Sequence, residues 1–198
     1  MKINKFVWVI VSLLISTIGC TPHSNQSTNH TVQTILSRAS IRDYTNQEIT
    51  SEAIDTLLKA GMSAPSSRDR RPWHFIVISD KEILTDLGSQ LKNATILKNA
   101  NKAIAVCGDT ILSDNAWFLD CSAATQNILL TAHSQGIGAV WTAVYPYPDR
   151  EAIVNRILKL PPHIRALAII PLGYPEQETK AKNKFDTTRI HNNVFTTK

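Results

Sequence analysis

Apolar residues recur along this chain in patterns that predict alternating helices and strands. Ile54, Leu57 and Leu58 form one stripe at helical spacing, which predicts an amphipathic helix over 51–62 that Ser51 caps. Acidic and small polar residues mark the start of other helical stretches. Further helices are predicted over 32–38, 81–91, 94–100 and 149–158.

Continuous apolar runs predict buried strands over 74–79, 103–107, 139–144 and 166–172. Residues 114–134 are apolar nearly all round, which predicts a helix packed on several sides, in the core or at a dimer interface. Helices and strands mixed in this order favour an α+β sandwich. Gly136 and Gly138 lack a third glycine and precede a strand, so a Rossmann dinucleotide-binding turn is excluded.

The first twenty residues differ from the rest of the chain. Lys2 and Lys5 precede an apolar run over 6–15, which is shorter than the roughly 20 residues of a transmembrane helix, and small residues then lead to Cys20. This pattern resembles a bacterial lipoprotein signal peptide over 1–19, followed by a lipidated Cys20 and a flexible tether over 20–31. The domain then occupies 32–198.

The signal interpretation predicts an exported lipoprotein of a bacterial cell envelope that meets the membrane through its lipid anchor only. A non-cleaved apolar anchor and an ordinary signal peptide stay open as alternatives, and each would still export the domain. If there is no signal, we expect a cytoplasmic protein.

Length, charge and cysteine content narrow the class of protein. A chain of 198 residues is long enough for one domain with a substantial core. Removal of Lys2 and Lys5 with the signal leaves 19 basic against 16 acidic residues, so the formal net charge falls from +5 to +3. No basic run is interleaved with aromatic residues, which argues against nucleic-acid binding.

Cys107 and Cys121 are too few for a disulfide scaffold, and their spacing does not support a metal site. We expect two small buried apolar side chains, although a bridge between them in an oxidising compartment stays open.

Candidate chemistry begins with Arg38, Ser40 and Arg42. In an extended backbone these alternating residues lie on one side, where two guanidinium groups and a hydroxyl can converge. Guanidinium groups match phosphate oxygens in bidentate geometry, so this segment predicts a phosphate cradle. A solvated basic face is the alternative that the segment alone leaves open.

A second segment, Ala64-Pro65-Ser66-Ser67, ends the helix before it and opens a loop that leads through Pro72-Trp73 into a strand. In this order and spacing, the two segments resemble motifs of the nitroreductase family of FMN-dependent oxidoreductases. Four later segments resemble the central helix, the two last strands and the closing tail of that family, and the resemblance covers 34–195. These segments are 117–132, 136–141, 170–175 and 182–191.

The resemblance implies a three-layer sandwich whose mixed, mainly antiparallel central sheet is flanked by helices, assembled as a homodimer with FMN at the interface. It implies that Arg38, Ser40, Arg42, Lys182 and Lys184 bind the phosphate and ribityl chain. The isoalloxazine ring would be lined by Pro65, Ser66 and Ser67 and by backbone around Trp141, Thr142 and Ala143. No catalytic side chain is implied, because the flavin carries the chemistry, and we interpret the histidines, including His133, as packing or surface residues.

Three positions depart from the family pattern. Asp69 and Arg71 stand where Asn and Gln are usual, and Lys184 stands where Arg is usual. We hypothesise that Asp69 and Arg71 offset each other near the flavin; the alternative is that both face solvent. Lys184 keeps the charge but lacks the guanidinium fork, which puts tight FMN retention in doubt.

The implied activity is two-electron (hydride) transfer from NADH, NADPH or another donor to a nitroaromatic, quinone or similar small-molecule acceptor, in a ping-pong cycle. Two alternatives stay open. One is a reductive dehalogenase or an oxidase of the same fold. The other is a lipid-anchored protein that binds flavin or a small ligand without turnover.

Overall fold

A computed structural model describes residues 29–197 of the chain. Its helices are α1 (His30–Ser37), α2 (Ser51–Met62), α3 (Lys81–Gln90), α4 (Trp117–Ser134) and α5 (Pro148–Leu158). Its strands are β1 (Trp73–Ile78), β2 (Lys102–Asp109), β3 (Gly138–Ala139), β4 (Thr142–Ala143) and β5 (Ile164–Gly173). Short 3₁₀ turns cover Ser67–Asp69, Thr95–Asn99 and Thr187–Arg189.

The strands form one sheet in the order β1-β2-β5-β3, and β4 also pairs with β5. Every pairing among these strands is antiparallel. β2 and β5 are buried along nearly their whole length, as strands covered on both faces should be. The register between them shifts at Val106/Cys107.

Helices cover both faces of the sheet, which gives the expected three layers. One apolar cluster joins α2 and α4 to the sheet, with Leu57, Ile128 and Ile170 buried at its centre. A second cluster on the other face joins α3, α5 and the 95–99 turn, with Leu87 and Ile169 at its centre. The α+β class and the sandwich architecture are thus confirmed.

Most predicted boundaries lie within a few residues of the observed ones, and three predictions need correction. The cap of α2 is Thr50, whose hydroxyl accepts from the Ala53 N–H at 3.2 Å, so the prediction that Ser51 caps it was wrong. The predicted helix over 114–134 begins only at Trp117, because 114–116 belong to the preceding turn. The single strand predicted over 139–144 is two short strands, since β3 ends at Ala139 and β4 begins at Thr142.

Cys107 and Cys121 are both buried and both free. Burial raises the pKa of Cys107 to about 12 and raises that of Cys121 as well, which keeps the thiols protonated. They pack as small apolar side chains, as predicted. None of the helices within 29–197 is long and apolar enough to cross a membrane.

Candidate functional site

The extended segment that follows α1 forms one wall of a polar cavity of about 330 Å³. The residues predicted to bind phosphate all line it, and the C-terminal tail supplies the opposite wall. The lining comprises Arg38, Ala39, Ser40, Arg42, Thr179, Lys180, Lys182 and Lys184. Five of these side chains are cationic and two carry hydroxyls, and none of the residues lining the cavity is acidic. We call this cavity the phosphate cradle, because its donors match the oxygens of a phosphate dianion.

Backbone hydrogen bonds hold this segment against the edge of the sheet. The Ile41 N–H donates to the carbonyl oxygen of Ala139 at 3.1 Å, which belongs to β3. Tyr44 forms an isolated antiparallel bridge with Pro175, beyond the end of β5, and its side chain is 8% exposed. Burial raises the pKa of Tyr44, so its hydroxyl stays protonated and lies 2.9 Å from the Ile41 carbonyl oxygen.

Two glycines make room for this close approach. A Cβ on Gly138 would lie 2.7 Å from Cγ2 of Ile41, and a Cβ on Gly173 would lie 2.6 Å from Cβ of Tyr44. Both distances are too short for carbon atoms, so any larger residue would displace the segment that carries the cradle. Both roles were missed from the sequence, because Gly138 and Gly173 face each other in the β3–β5 pairing and no local pattern shows this.

The predicted Pro65–Ser67 loop follows α2, and a buried carboxylate holds it. The Ser67 N–H donates to Oδ1 of Asp120 at 2.9 Å, and Asp120 is only 6% exposed. Asp120 lies in the first turn of α4, so the central helix fixes the position of the loop. Asp120 was not predicted as a site residue. An acidic residue in a helix predicted to be apolar nearly all round is the feature of the sequence that points to it.

Asp69 and Arg71 form a bidentate ion pair just after this loop. Nε of Arg71 donates to Oδ1 of Asp69 at 2.7 Å, and Nη2 donates to Oδ2 at 2.5 Å. These hydrogen bonds lower the pKa of Asp69 and raise that of Arg71. The two side chains are 72% and 65% exposed, so they compensate each other at the surface of the described chain. Arg68, Asp69 and Arg71 all have φ of 50–54°, a left-handed conformation that is costly for side-chain-bearing residues and clusters at functional sites.

The third predicted segment, Trp141–Ala143, is held from both sides. Thr142 pairs with Ile169 of β5, and its hydroxyl donates to the Ile169 carbonyl oxygen at 2.6 Å. The carbonyl oxygen of Ala143 accepts from Nδ2 of Asn93 at 3.1 Å and from Nη1 of Arg150 at 3.0 Å. Asn93 lies 50 residues from Ala143 in sequence, and Arg150 lies 7 residues from it. Neither residue belongs to a recognisable motif, so neither was predicted.

Three groups of residues were predicted to bind FMN: the phosphate-binding residues, Pro65–Ser67 and Trp141–Ala143. Within the described part of one chain, only the phosphate-binding residues line a shared cavity. Pro65–Ser67 and Trp141–Ala143 are absent from the lining of the cradle. They are also absent from a neighbouring cavity of about 450 Å³, which shares Ala39, Thr179 and Lys180 with the cradle.

Comparisons with known proteins identify the family to which this chain is similar. A sequence model described as "Nitroreductase family" matches residues 35–111 and 89–174. A "Putative NADH dehydrogenase/NAD(P)H nitroreductase" of Methanothermobacter thermautotrophicus is 44% identical over 162 residues, which cover 81% of this chain and 85% of that protein. A crystal structure of a protein of the same name from Parabacteroides distasonis is 56% identical, with a TM-score of 0.84, over 84% of this chain and 99% of the other. An FMN-dependent nitroreductase from Clostridium difficile is 35% identical, with a TM-score of 0.78, over 83% and 99% of the two chains.

Proposed function

This chain belongs to the nitroreductase family, and we propose that it is an FMN-dependent oxidoreductase that moves two electrons from NADH or NADPH to an electron-poor organic acceptor. Nitroaromatic compounds and quinones are the acceptors we propose. The names of its relatives support this class of reaction: the Clostridium difficile protein is FMN-dependent, and the Methanothermobacter protein is named for NAD(P)H.

The phosphate cradle is the observation that carries the proposal. Five cations and two hydroxyls surround a space of about 330 Å³ without an acidic neighbour in the lining. Such a cluster repels itself unless an anion neutralises it, and a phosphate monoester has the charge and the oxygen atoms to do so. Arg38, Ser40 and Arg42 would bind the phosphate from one wall, and Lys182 and Lys184 would close on it from the other.

When bound, FMN supplies the two-electron chemistry, and the protein supplies binding, orientation and electrostatics. Asp120 would hold Ser66 and Ser67 beside the flavin ring through its bond to the Ser67 N–H. Asn93 and Arg150 would hold the backbone of Ala143 near the ring. These contacts fix the backbone before the cofactor arrives, which reduces the entropy lost on binding.

A homodimer is part of the proposal, because this protomer leaves much apolar surface uncovered. α1 buries none of its residues, and the tail after β5 carries large apolar side chains that are half or more exposed. They are Val32, Ile35 and Leu36 in α1, which are 47–71% exposed, and Phe185, Ile190, Val194 and Phe195 in the tail, which are 50–77% exposed. Apolar groups gathered in this way favour association with a partner. A second copy would also supply Pro65–Ser67, which the cradle lacks within one chain.

We propose that the Asp69–Arg71 pair tunes the flavin. Asp69→Asn removes the negative member of the pair and leaves Arg71 uncompensated, so we expect the midpoint potential of the bound flavin to rise. Asp55→Asn, at an exposed position of α2, is the matched control and should leave the potential unchanged. If Asp69→Asn altered neither the potential nor turnover, the pair would be a surface feature only.

The signal peptide and the lipidation of Cys20 concern residues outside the described part of the chain. We retain as a proposal that 1–19 are removed, that Cys20 is lipidated and that the protein is exported to a bacterial cell envelope. Cell fractionation tests it, since Cys20→Ser should move the protein out of the membrane fraction. Reduced nicotinamides are cytoplasmic, so if the protein is exported, another electron donor would take the place of NADH and NADPH.

Steady-state kinetics of the full-length protein test the proposed activity. NADH or NADPH is varied at several fixed concentrations of a nitroaromatic or quinone acceptor, and ping-pong transfer predicts parallel double-reciprocal lines. Arg42→Gln should lower the activity at limiting FMN and recover with added FMN, whereas Arg156→Gln on the exposed face of α5 should not. Bound flavin without turnover on any donor would favour the binding-protein alternative.

A further inference from the structure

A hydrogen bond between two side chains ties the end of α1 to the end of α4. Oγ of Ser37 lies 2.8 Å from Nε2 of His133, and the same hydroxyl lies 2.7 Å from the carbonyl oxygen of Gln33. A hydroxyl has one proton, and a carbonyl oxygen can only accept it. When Ser37 donates to Gln33, it accepts from the Nε2–H of His133, which fixes the role of the imidazole as donor.

This contact matters because α1 has little else to hold it. The helix buries no side chain, so apolar packing within the described chain contributes little to its position. The next anchor along the chain is the bond from the Ile41 N–H to the Ala139 carbonyl oxygen. The Ser37–His133 contact and the Ile41–Ala139 bond therefore bracket Arg38 and Ser40 on either side.

The segment from Ser37 to Arg42 lines two adjacent cavities, which share Ala39. Ser37, Ala39 and Ile41 line the cavity of about 450 Å³ together with His133. Arg38, Ser40 and Arg42 line only the phosphate cradle. A rotation of the backbone at Ser37 would turn the side chains that line both cavities. The Ser37–His133 contact in the larger cavity therefore affects the direction of Arg38 and Ser40 in the phosphate cradle.

Electrostatics agree with this proximity. Burial lowers the pKa of His133, and the nearby charge of Arg38 lowers it further. Glu178 and Lys180 of the tail line the same cavity as His133. The imidazole is thus kept neutral near pH 7, with one proton to donate.

We propose that His133 is a positioning residue for the phosphate cradle: by donating from Nε2 to Ser37, it fixes the end of α1 and the direction in which Arg38 enters the cradle. The inference rests on the proposed function, because it assumes that the cradle takes the phosphate of FMN. It concerns a residue that touches neither phosphate nor flavin.

The test compares FMN with riboflavin, which lacks the phosphate. Dissociation constants of both are measured by flavin fluorescence quenching on the full-length protein after bound flavin has been removed. We expect His133→Leu to lower the FMN-to-riboflavin affinity ratio by about tenfold, since ordering a freed arginine side chain costs on the order of a factor of ten. His133→Gln places an N–H near the position of Nε2 and should restore most of the ratio.

Two further variants keep the inference testable if His133→Leu folds poorly. Ser37→Ala favours the helix and removes the acceptor, so it should lower the ratio as His133→Leu does. The double variant Ser37→Ala/His133→Gln should lower the FMN-to-riboflavin affinity ratio no further than Ser37→Ala alone. His163→Gln, a half-buried histidine just before β5, is the control and should leave the ratio unchanged.

The outcomes distinguish a failure of the proposed phosphate cradle from a failure of the proposed role of His133. If the unaltered protein bound FMN no better than riboflavin, the proposed phosphate cradle itself would be wrong. If it preferred FMN and both His133→Leu and Ser37→Ala preserved that preference, the cradle would stand and the role of His133 would be overturned.

Discussion

Substitution of Gly173 by alanine tests how the cradle is held. The new Cβ would lie 2.6 Å from Cβ and Cγ of Tyr44, whereas ordinary contacts between such atoms are 3.4–4 Å. Tyr44 must therefore move by about 1 Å, and overpacking of this kind costs about 1–3 kcal/mol. Tyr44 follows Arg42 by two residues, so the movement carries into the cradle. Loss of one charge-assisted hydrogen bond to phosphate should weaken FMN binding by about tenfold or more.

Two assays at fixed protein concentration measure these effects. Urea denaturation should show a lower midpoint with an unchanged slope, and FMN titration should show weaker binding. Gly88→Ala is the matched control, because its Cβ would lie 2.9 Å from the backbone nitrogen of Lys98, between α3 and the 95–99 turn. It should lower stability without changing the FMN affinity of the folded protein. If Gly173→Ala lost stability but kept FMN affinity, the coupling of Tyr44 to the cradle would be refuted.

Three further predictions concern single side chains. Lys184→Arg restores a guanidinium fork, so FMN should dissociate several-fold more slowly in a stopped-flow dilution; an unchanged rate would mean that Lys184 does not touch the phosphate. Asp120→Ala leaves the Ser67 N–H without its acceptor and should cost about 1–3 kcal/mol in urea denaturation, while Asp120→Asn, which keeps an oxygen acceptor, should cost less. The pKa of His133 is lowered in the folded protein, so the unfolded chain binds the extra proton between that pKa and about 6.5. The stabilisation linked to the neutral His133 should be complete above pH 6.5 and decline as the pH falls. Urea denaturation at pH 7.5 and at pH 5.5 should therefore show a smaller loss of stability on acidification in His133→Gln than in the unaltered protein.

Local signals in the sequence were enough to predict the helices. α2 was predicted with the observed bounds, because its apolar stripe is a property of neighbouring residues. The start of α3 was predicted because the Asp80 carboxylate caps the first turn, where it accepts from the Glu82 N–H at 2.8 Å.

Long-range pairing could not be predicted in the same way. The run 139–144 is apolar throughout, and nothing in it shows that pairing with β5 is interrupted between Ala139 and Thr142. The structure shows that the Ala139 carbonyl oxygen accepts from the Ile41 N–H, a residue nearly 100 positions earlier. Only the folded chain brings these two segments together.

The residues of the candidate site show the same difference between local signals and long-range contacts. Arg38, Ser40 and Arg42 were predicted from their types and their alternation, and Lys182 and Lys184 from the family resemblance. Gly138, Gly173, Asp120 and Asn93 were missed because each acts on a residue far away in sequence, through close contact or through one hydrogen bond. The sequence thus predicted side chains that share a cavity, and it did not show the residues that hold the surrounding backbone in place.

The visible absorption spectrum of the purified full-length protein, followed by anaerobic addition of NADH and then of NADPH, reports on the cofactor and on the electron donor together. We expect a yellow protein with flavin bands that bleach on addition of a nicotinamide and return when a nitroaromatic or quinone is added. A yellow protein that stays oxidised with both nicotinamides would contradict the proposed donor. A colourless protein that also refuses added FMN would contradict the cofactor assignment and the phosphate cradle with it.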